Sequence, residues 1–273
     1  MEKRVRALRV VSYNVHRCRG LDGRVKPARI ADVLSDLEPD IVALQEVVGA
    51  GNTGEGHAVT IAATLGMHWV MAPTRTHRGH LFGNVVMSRL PITGHERRDL
   101  TYPHCAPRCC QRAVIEIGLT TLNVYNVHLG TALLERRYQA PRLAEFVSDS
   151  RVTGPRIVLG DFNEWVRGLT SRTLEREFRS IDLRPYLRRR RTYPGILPIF
   201  HLDHLYYDGP LKITGIFFPR TPRTLVASDH LPLVVDLHAA VTTRPRTEHA
   251  VERGRTAVEA AEEADVVQLN ARR

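Results

Sequence analysis

Arg156-Ile157-Val158-Leu159-Gly160-Asp161-Phe162-Asn163 is the stretch on which the reading of this chain turns. Ile157, Val158 and Leu159 have the composition of a short buried strand, and a carboxylate and a carboxamide then emerge together where that strand ends. Two other segments repeat the pattern. Asp40-Ile41-Val42-Ala43-Leu44-Gln45-Glu46 carries a carboxylate off a buried strand, and Ser228-Asp229-His230 stands just ahead of the apolar run Leu231 to Val235. Scattered acids are ordinary, but acids placed repeatedly at strand ends point to a shared, metal-dependent site.

Around these segments the chain alternates between two periodicities. Leu8 to Asn14 reads as a first strand, and Lys26-Pro27 opens a helix in which Ile30, Val33, Leu34 and Leu37 share a face until Glu38-Pro39 stops it. Strand Asp40 to Leu44, a glycine-rich loop and a second helix with Ala58, Ile61, Ala62 and Leu65 on one face follow. Leu81 to Ser88, Ala113 to Ile117 and Leu122 to Leu129 read as strands, the last two joined in a hairpin near Thr120-Thr121. A helix is expected over Leu133 to Val147, with Pro141 imposing a kink or a fresh start. After Asp161 come a short helix around Leu174 to Phe178, an arginine-rich stretch from Arg184 to Arg191, and strands Phe200 to Tyr207, Leu211 to Phe217 and Leu231 to Leu237. Strands mixed with helices, some sequentially antiparallel, predict an α/β fold of two sheets packed face to face with helices outside.

A length of 273 residues with 43% hydrophobic content supports one domain, here residues 1–239. From Ala240 the composition turns to Thr, Arg, Glu and Ala, which predicts a tail over 240–273, partly disordered or helical. Met1 to Arg9 is basic but precedes no secretory apolar region, and no apolar run approaches the roughly 20 residues that span a bilayer. A soluble, cytoplasmic protein without a transmembrane segment is the expectation. Cys18, Cys105, Cys109 and Cys110 lack paired Cys-x-x-Cys knuckles, which favours reduced structural thiols over zinc.

A formal net charge of +10 favours polyanionic partners: nucleic acid, an anionic lipid surface or phosphorylated small molecules. A solvated, arginine-rich surface is the plain alternative. Arg188 to Arg191, with Tyr186 and Tyr193 nearby, suits phosphate contacts and base stacking or, equally, an exposed loop. Nothing in the sequence specifies an oligomeric state.

The strand-end side chains are Asn14, Glu46, His128, Asp161, Asn163, Asp203, Asp229 and His230. Mostly oxygen, with two imidazoles and no thiolate, this inventory suits Mg²⁺ held partly by water, with Mn²⁺ as an alternative. Taken singly, each residue has a structural explanation: Asn14 and Asn163 as turn caps, Asp161 and Asp229 as acceptors of backbone amides, His128 as a core histidine. Together they match what a phosphate ester demands of a site, a hard cation to neutralise charge and a carboxylate or histidine to act as base toward water. Brought together by the fold, Asp203 and His230 would form a carboxylate–imidazole pair that fixes the ring's tautomer and steadies its charge beside a phosphate.

Seven segments, in order, carry a resemblance: Ser12-Tyr13-Asn14-Val15-His16, Asp40 through Gln45-Glu46-Val47, Gly83 through Met87-Ser88-Arg89-Leu90-Pro91-Ile92, Asn126-Val127-His128-Leu129-Gly130, Gly160-Asp161-Phe162-Asn163, Leu202-Asp203-His204 and Ser228-Asp229-His230-Leu231-Pro232. From about residue 8 to 238 the chain resembles the endonuclease/exonuclease/phosphatase superfamily, the deoxyribonuclease I-like proteins. The resemblance implies a four-layer α/β/β/α sandwich with a Mg²⁺-dependent phosphoric ester hydrolase site at the sheet edges. It implies Glu46 as principal metal ligand, Asn14 beside it and Asp229 as a further ligand. Asp161 would align or deprotonate the attacking water, Asn163 would hold the phosphate, His230 oriented by Asp203 would contact a phosphate oxygen, and His128 would act as acid or phosphate contact. Arg112 falls where members often place a substrate-binding arginine.

Gly160-Asp161-Phe162-Asn163-Glu164-Trp165 and Thr192-Tyr193-Pro194 look most like a group of small bacterial hydrolases. Abasic-site endonucleases carry an acid two positions after the first-strand Asn, where this chain has His16, and the Tyr and Glu of the deoxyribonuclease I minor-groove loop are missing around His77 to Leu81. The expected activity is a phosphodiesterase acting on nucleic acid or another phosphate-rich substrate by in-line attack of water. The alternatives are hydrolysis of lipid headgroups or small phosphorylated molecules, and a non-catalytic polyanion-binding scaffold.

Overall fold

The computed structural model describes residues 2–52, 54–164, 168–180 and 202–243. Arg188 to Arg191, their tyrosine neighbours and the tail beyond Thr243 lie outside the described residues. In chain order the elements are β1 (Glu2–Asn14), a 3-10 turn (His16–Cys18), α1 (Pro27–Leu37), β2 (Ile41–Gly51), α2 (Gly56–Leu65), β3 (His68–His77), β4 (His80–Ser88), β5 (Ile92–Asp99), β6 (Cys109–Ile117) and β7 (Thr120–His128). They continue with α3 (Leu133–Val147), β8 (Arg156–Asp161), α4 (Leu169–Leu174), β9 (Arg179–Ser180), β10 (Asp203–Asp208), β11 (Leu211–Phe217), α5 (Pro222–Ala227) and β12 (Leu233–Thr243).

Two six-stranded sheets result, ordered β11-β12-β1-β2-β4-β3 and β5-β6-β7-β8-β10-β9. Each has one parallel pair near its centre, β1 with β2 and β7 with β8. A parallel pair needs a crossover, supplied by α1 in the first sheet and α3 in the second. The crossover carries the chain back to the strand's starting end, so both strands of a pair finish at the same edge.

Period-two alternation divides each central strand between two cores. In β1, Leu8 and Val10 face the other sheet while Val11 and Tyr13 face the helices; in β8, Ile157 and Leu159 face inward and Val158 outward. The inter-sheet core is joined by Ile41, Ala43, Val124 and Val235. Ile30, Val33, Leu34 and Leu37 of α1 and Ile61 and Leu65 of α2 pack on the first sheet's outer face, as their spacing predicts. Leu143, Phe146 and Val147 of α3 cover the second sheet. The architecture is the expected α/β/β/α sandwich.

Several elements depart from expectation. The helix placed over Leu174 to Phe178 lies instead at Leu169–Leu174. Buried Glu164 accepts from the backbone N–H groups of Thr170 (3.1 Å) and Ser171 (3.0 Å), so the helix begins where that carboxylate satisfies its first turn. Pro141 does not start a fresh helix: α3 runs through it as one element of 15 residues. β3 and β5 carry no clean alternation, being half-exposed or charged along their length, and so left no periodic signal. β12 pairs with β1 out to Thr243↔Glu2, beyond the compositional shift at Ala240. No helix among the described residues is long and apolar enough to cross a membrane.

Candidate active site

The same inward-facing positions that are apolar at the middle of the sandwich turn polar at one edge. Leu8 and Val10 give way to Ser12 and Asn14, Ile41 and Ala43 to Gln45, Leu122 and Val124 to Asn126 and His128, Ile157 and Leu159 to Asp161. Register places them side by side, with Asn14 opposite Gln45, His128 opposite Asp161, and Asp203 at the start of β10 opposite Asp161. Because β12 runs antiparallel to β1, with Leu233 opposite Ser12, the Ser228-Asp229-His230 segment arrives at this edge as well.

Asp161 is the hub. Its Oδ2 accepts a hydrogen bond from Asn14 Nδ2 at 2.9 Å and lies 3.8 Å from His128 Nε2 and 3.7 Å from His230 Nε2. Its Oδ1 accepts from the backbone N–H of Asn163 at 3.0 Å. Gly160 permits the approach. Its φ is +141°, and a Cβ there would collide with the Val127 carbonyl oxygen across the strand pair. Three side chains remote in sequence, Asn14, His128 and His230, therefore meet at one buried carboxylate.

His230 is flanked on its other side by Asp203, whose Oδ2 lies 3.6 Å from Nδ1. That is longer than a closed hydrogen bond, so the contact is mainly electrostatic. Asp203 is fully buried, and among the described residues neither of its carboxylate oxygens has a hydrogen-bond partner. A buried anion in that state needs a counter-charge, and His230 supplies it. Burial alone would push the His230 imidazole down, but Asp161, Asp203 and Asp229 outweigh it and raise the ring to about 9. His128 shows the opposite balance: burial, then the positive Arg108 and His230, hold it well below the usual histidine range, so it is neutral. Burial and Asp203 raise Asp161 to about 6 against the opposing pull of His230, Asn14 and Asn163. One neutral and one cationic imidazole thus face the same carboxylate.

Glu46 does not follow a strand end; it sits inside β2 at a bulge between Leu44 and Val47, with φ +58°. A bulge re-aims a side chain, and here it turns the half-buried carboxylate toward a cleft shared with His128, Asn84 and Arg108. The bulge is held by a buried amide. Asn126 donates through Nδ2 to the carbonyls of Leu44 (2.9 Å) and Val85 (3.0 Å), and its Oδ1 accepts from Gln45 Nε2 at 2.8 Å. Because Asn126 belongs to the other sheet, it also ties the two sheets together beneath the site. Asp229, half-buried, lies 3.5 Å from His16 Nδ1, and Ser228 Oγ donates to the Asn14 carbonyl at 2.8 Å.

One expectation needs revision. Arg112 is on the outer, helix-facing side of β6, ion-paired to Glu96 at 2.9 Å, because alternation from inward-facing Ala113 turns it away from the cleft. The arginine that does line the cleft is Arg108, just before β6, a position invisible until the start of that strand is known. Asn163 donates Nδ2 to the Leu129 carbonyl at 2.9 Å, so one of its amide hydrogens shapes the loop and the other remains for a ligand. Vicinal Cys109 and Cys110 are free thiols pointing to opposite faces of β6, not a metal pair. His16, against Asp229, was not marked by strand-end reasoning because it lies in the turn after β1.

Comparison with known proteins identifies the family. A profile of the endonuclease/exonuclease/phosphatase family matches residues 11–230. The chain belongs to that family, whose members are usually phosphoric ester hydrolases. It is 29% identical over 247 residues to the uncharacterized protein YbhP of Escherichia coli strain K12, covering 85% of this chain and 96% of that protein. The fold is similar to an endonuclease/exonuclease/phosphatase structure from Beutenbergia cavernae DSM 12333, with TM-score 0.67, 24% identity and coverage of 86% and 72% of the two chains. It is also similar to a mannosyl-6-phosphatase from Bacteroides thetaiotaomicron VPI-5482, with TM-score 0.65, 16% identity and coverage of 84% and 99%.

Proposed function

We propose that this protein is a Mg²⁺-dependent phosphoric ester hydrolase that activates water at Asp161. The observation that carries the reading is the convergence of Asn14, His128, His230 and the Asn163 amide on that one carboxylate. Around it the chain supplies a base, a cation, a neutral imidazole and backbone N–H groups, the parts that in-line attack on phosphorus uses.

The donor set suits a hydrated divalent ion. Glu46, Asn14 and Asp229 offer oxygen at one edge, and among the described residues no hydrogen bond or ion pair engages the Glu46 carboxylate. Oxygen donors without a thiolate suit Mg²⁺, its shell completed by water and substrate oxygens, better than zinc. Mn²⁺ would be accepted by the same oxygens. When bound, the ion neutralises phosphate charge.

The side chains do the rest. Asp161, held by Asn14 and the Asn163 amide, orients a water and accepts its proton. His230, kept cationic between Asp161 and Asp203, places positive charge against a non-bridging phosphate oxygen as negative charge builds there. Neutral His128 donates a hydrogen bond without adding repulsion to the metal corner, and the second amide hydrogen of Asn163 grips the phosphate. Nucleic acid, lipid headgroups and small phosphorylated molecules all satisfy this chemistry.

The test is turnover of bis(p-nitrophenyl) phosphate and of a panel of DNA, RNA, phospholipids, inositol phosphates and nucleotides, with Mg²⁺ or Mn²⁺. Asp161→Asn keeps the shape and removes the base, so kcat should fall about 10²- to 10⁴-fold. Equal turnover by wild type and variant would reject the assignment of Asp161.

A further inference from the structure

Beside the Glu46 end of the site lies a cavity of about 490 Å³ formed by the loop after β1, the β2–α2 loop and the β3–β4 hairpin. Its polar lining is entirely basic: Arg17, Arg19, Arg78, His57, His77 and His80. Among the described residues no acidic side chain lines it.

Many described arginines are engaged by the fold: Arg9, Arg29 and Arg112 pair with Asp236, Asp22 and Glu96, while Arg89 and Arg156 donate to backbone carbonyls. Among the described residues Arg17, Arg19 and Arg78 have no carboxylate partner, although their loops converge. Gathering three guanidinium groups without a counter-ion costs self-repulsion, which an arriving anion would relieve. His57 adds a second sign of an unfilled role, since its Nδ1 is buried and has no hydrogen-bond partner among the described residues.

The cavity is connected to the catalytic edge. Val48 lines it only two residues past the bulged Glu46, a reach of at most about 7 Å. Arg17 Nη2 donates to His16 Nε2 at 2.8 Å, which leaves the ring proton on Nδ1, 3.5 Å from Asp229 Oδ1. A line of contacts therefore runs from the metal-binding corner into the basic pocket.

We propose that the cavity is a recognition subsite for a second phosphate of the substrate, so that the favoured substrate is a small organic molecule bearing two or more phosphates. The assignment rests on the phosphoesterase reading for the scissile group, while the pocket itself is argued from its own charge. A half-open volume of this size accommodates a sugar or nucleoside fragment. Guanidinium groups give bidentate hydrogen bonds to phosphate, and the distance from Glu46 is of the order that separates two phosphates on one small molecule.

The double variant Arg19→Gln/Arg78→Asn tests this in the full chain. Arg78 has φ +49° just before Gly79 at φ +79°, a pair of left-handed residues at a hairpin tip where Asn-Gly is favoured, so the turn survives the change. Titration calorimetry of metal-free protein at fixed ionic strength compares adenosine 3′,5′-bisphosphate with AMP. Wild type should prefer the bisphosphate by about tenfold or more, and the variant should lose that preference. With Mg²⁺ the ratio of kcat/KM values should fall in parallel, while turnover of bis(p-nitrophenyl) phosphate is unchanged. No preference in wild type, or equal weakening of both ligands in the variant, overturns the proposal. So does a variant that loses affinity for a ten-nucleotide oligodeoxynucleotide but not for the bisphosphate, which would make the pocket a nucleic-acid contact. A binding preference that persists where no ester is ever hydrolysed sinks the hydrolase reading and leaves the subsite standing.

Discussion

Replacing Asn126 with leucine, a side chain of similar size, removes the amide that joins the two sheets under the candidate site. Three hydrogen bonds go at once: to the Leu44 carbonyl, to the Val85 carbonyl, and from the Gln45 amide. Asn126 is fully buried, so water does not replace them. At a net value of about 1 kcal/mol per bond, with a further penalty of about 1 to 3 kcal/mol for a buried group left unpaired, Asn126→Leu should lose about 4 to 6 kcal/mol. That is a large share of the roughly 5 to 15 kcal/mol typical of a domain. Urea denaturation followed by far-UV circular dichroism measures it. The second consequence is functional, because Asn126 holds the Leu44 side of the bulge that aims Glu46. Support of this kind typically governs metal affinity by about 10- to 100-fold, so the Mg²⁺ concentration giving half-maximal activity should rise by that factor. A destabilisation under about 1 kcal/mol, or a stable variant with unchanged metal dependence, would refute the claim that this amide positions Glu46.

Three other outcomes follow from the same geometry. His230 has a folded pKa raised to about 9 against about 6.5 unfolded, so its contribution to stability is complete below pH 6.5 and is lost as pH rises through 9. Metal-free protein should therefore lose thermal stability between pH 6.5 and 9 in a way that His230→Asn does not, and an imidazole NMR midpoint below 7 for His230 would contradict it. Glu164→Ala strips two backbone donors at the start of α4 of a buried acceptor and should cost about 2 to 4 kcal/mol by urea titration; a loss under about 0.5 kcal/mol would show the cap to be dispensable. Chelation should abolish hydrolysis reversibly, and saturating Mg²⁺ at about 100 times its dissociation constant should add about 2.7 kcal/mol of stability to wild type but far less to Glu46→Gln. Identical thermal shifts in both would remove Glu46 from the metal site.

Much of this was legible without coordinates. The helices α1 and α2 announced themselves through Ile30, Val33, Leu34, Leu37, Ile61 and Leu65, whose spacing matches one buried face each. The central strands did so through short apolar runs ending in Asn14, His128 and Asp161. β3 and β5 did not, because strands at or near a sheet's edge bury too little to impose a pattern. Arg112 misled for a local reason: its chain position is near the site, but alternation along β6 turns it to the other face and onto Glu96. Arg108 and the basic pocket could not be read in advance, since each depends on which loops lie together.

Sequence alone determined the first two helices, the central strands, the two-sheet sandwich and the chemical character of the strand ends, because apolar periodicity and residue type are local properties of a chain. It also determined the cationic excess that makes phosphate a natural ligand. Tertiary structure decided the rest. Parallel pairing of β1 with β2 and β7 with β8, with antiparallel β10 and β12 beside them, brings Asn14, His128, Asp161, Asp203 and His230 to one edge. The physical reason is that burial, ion pairing and the opposite fates of His128 and His230 depend on distances through space, and only strand register sets them.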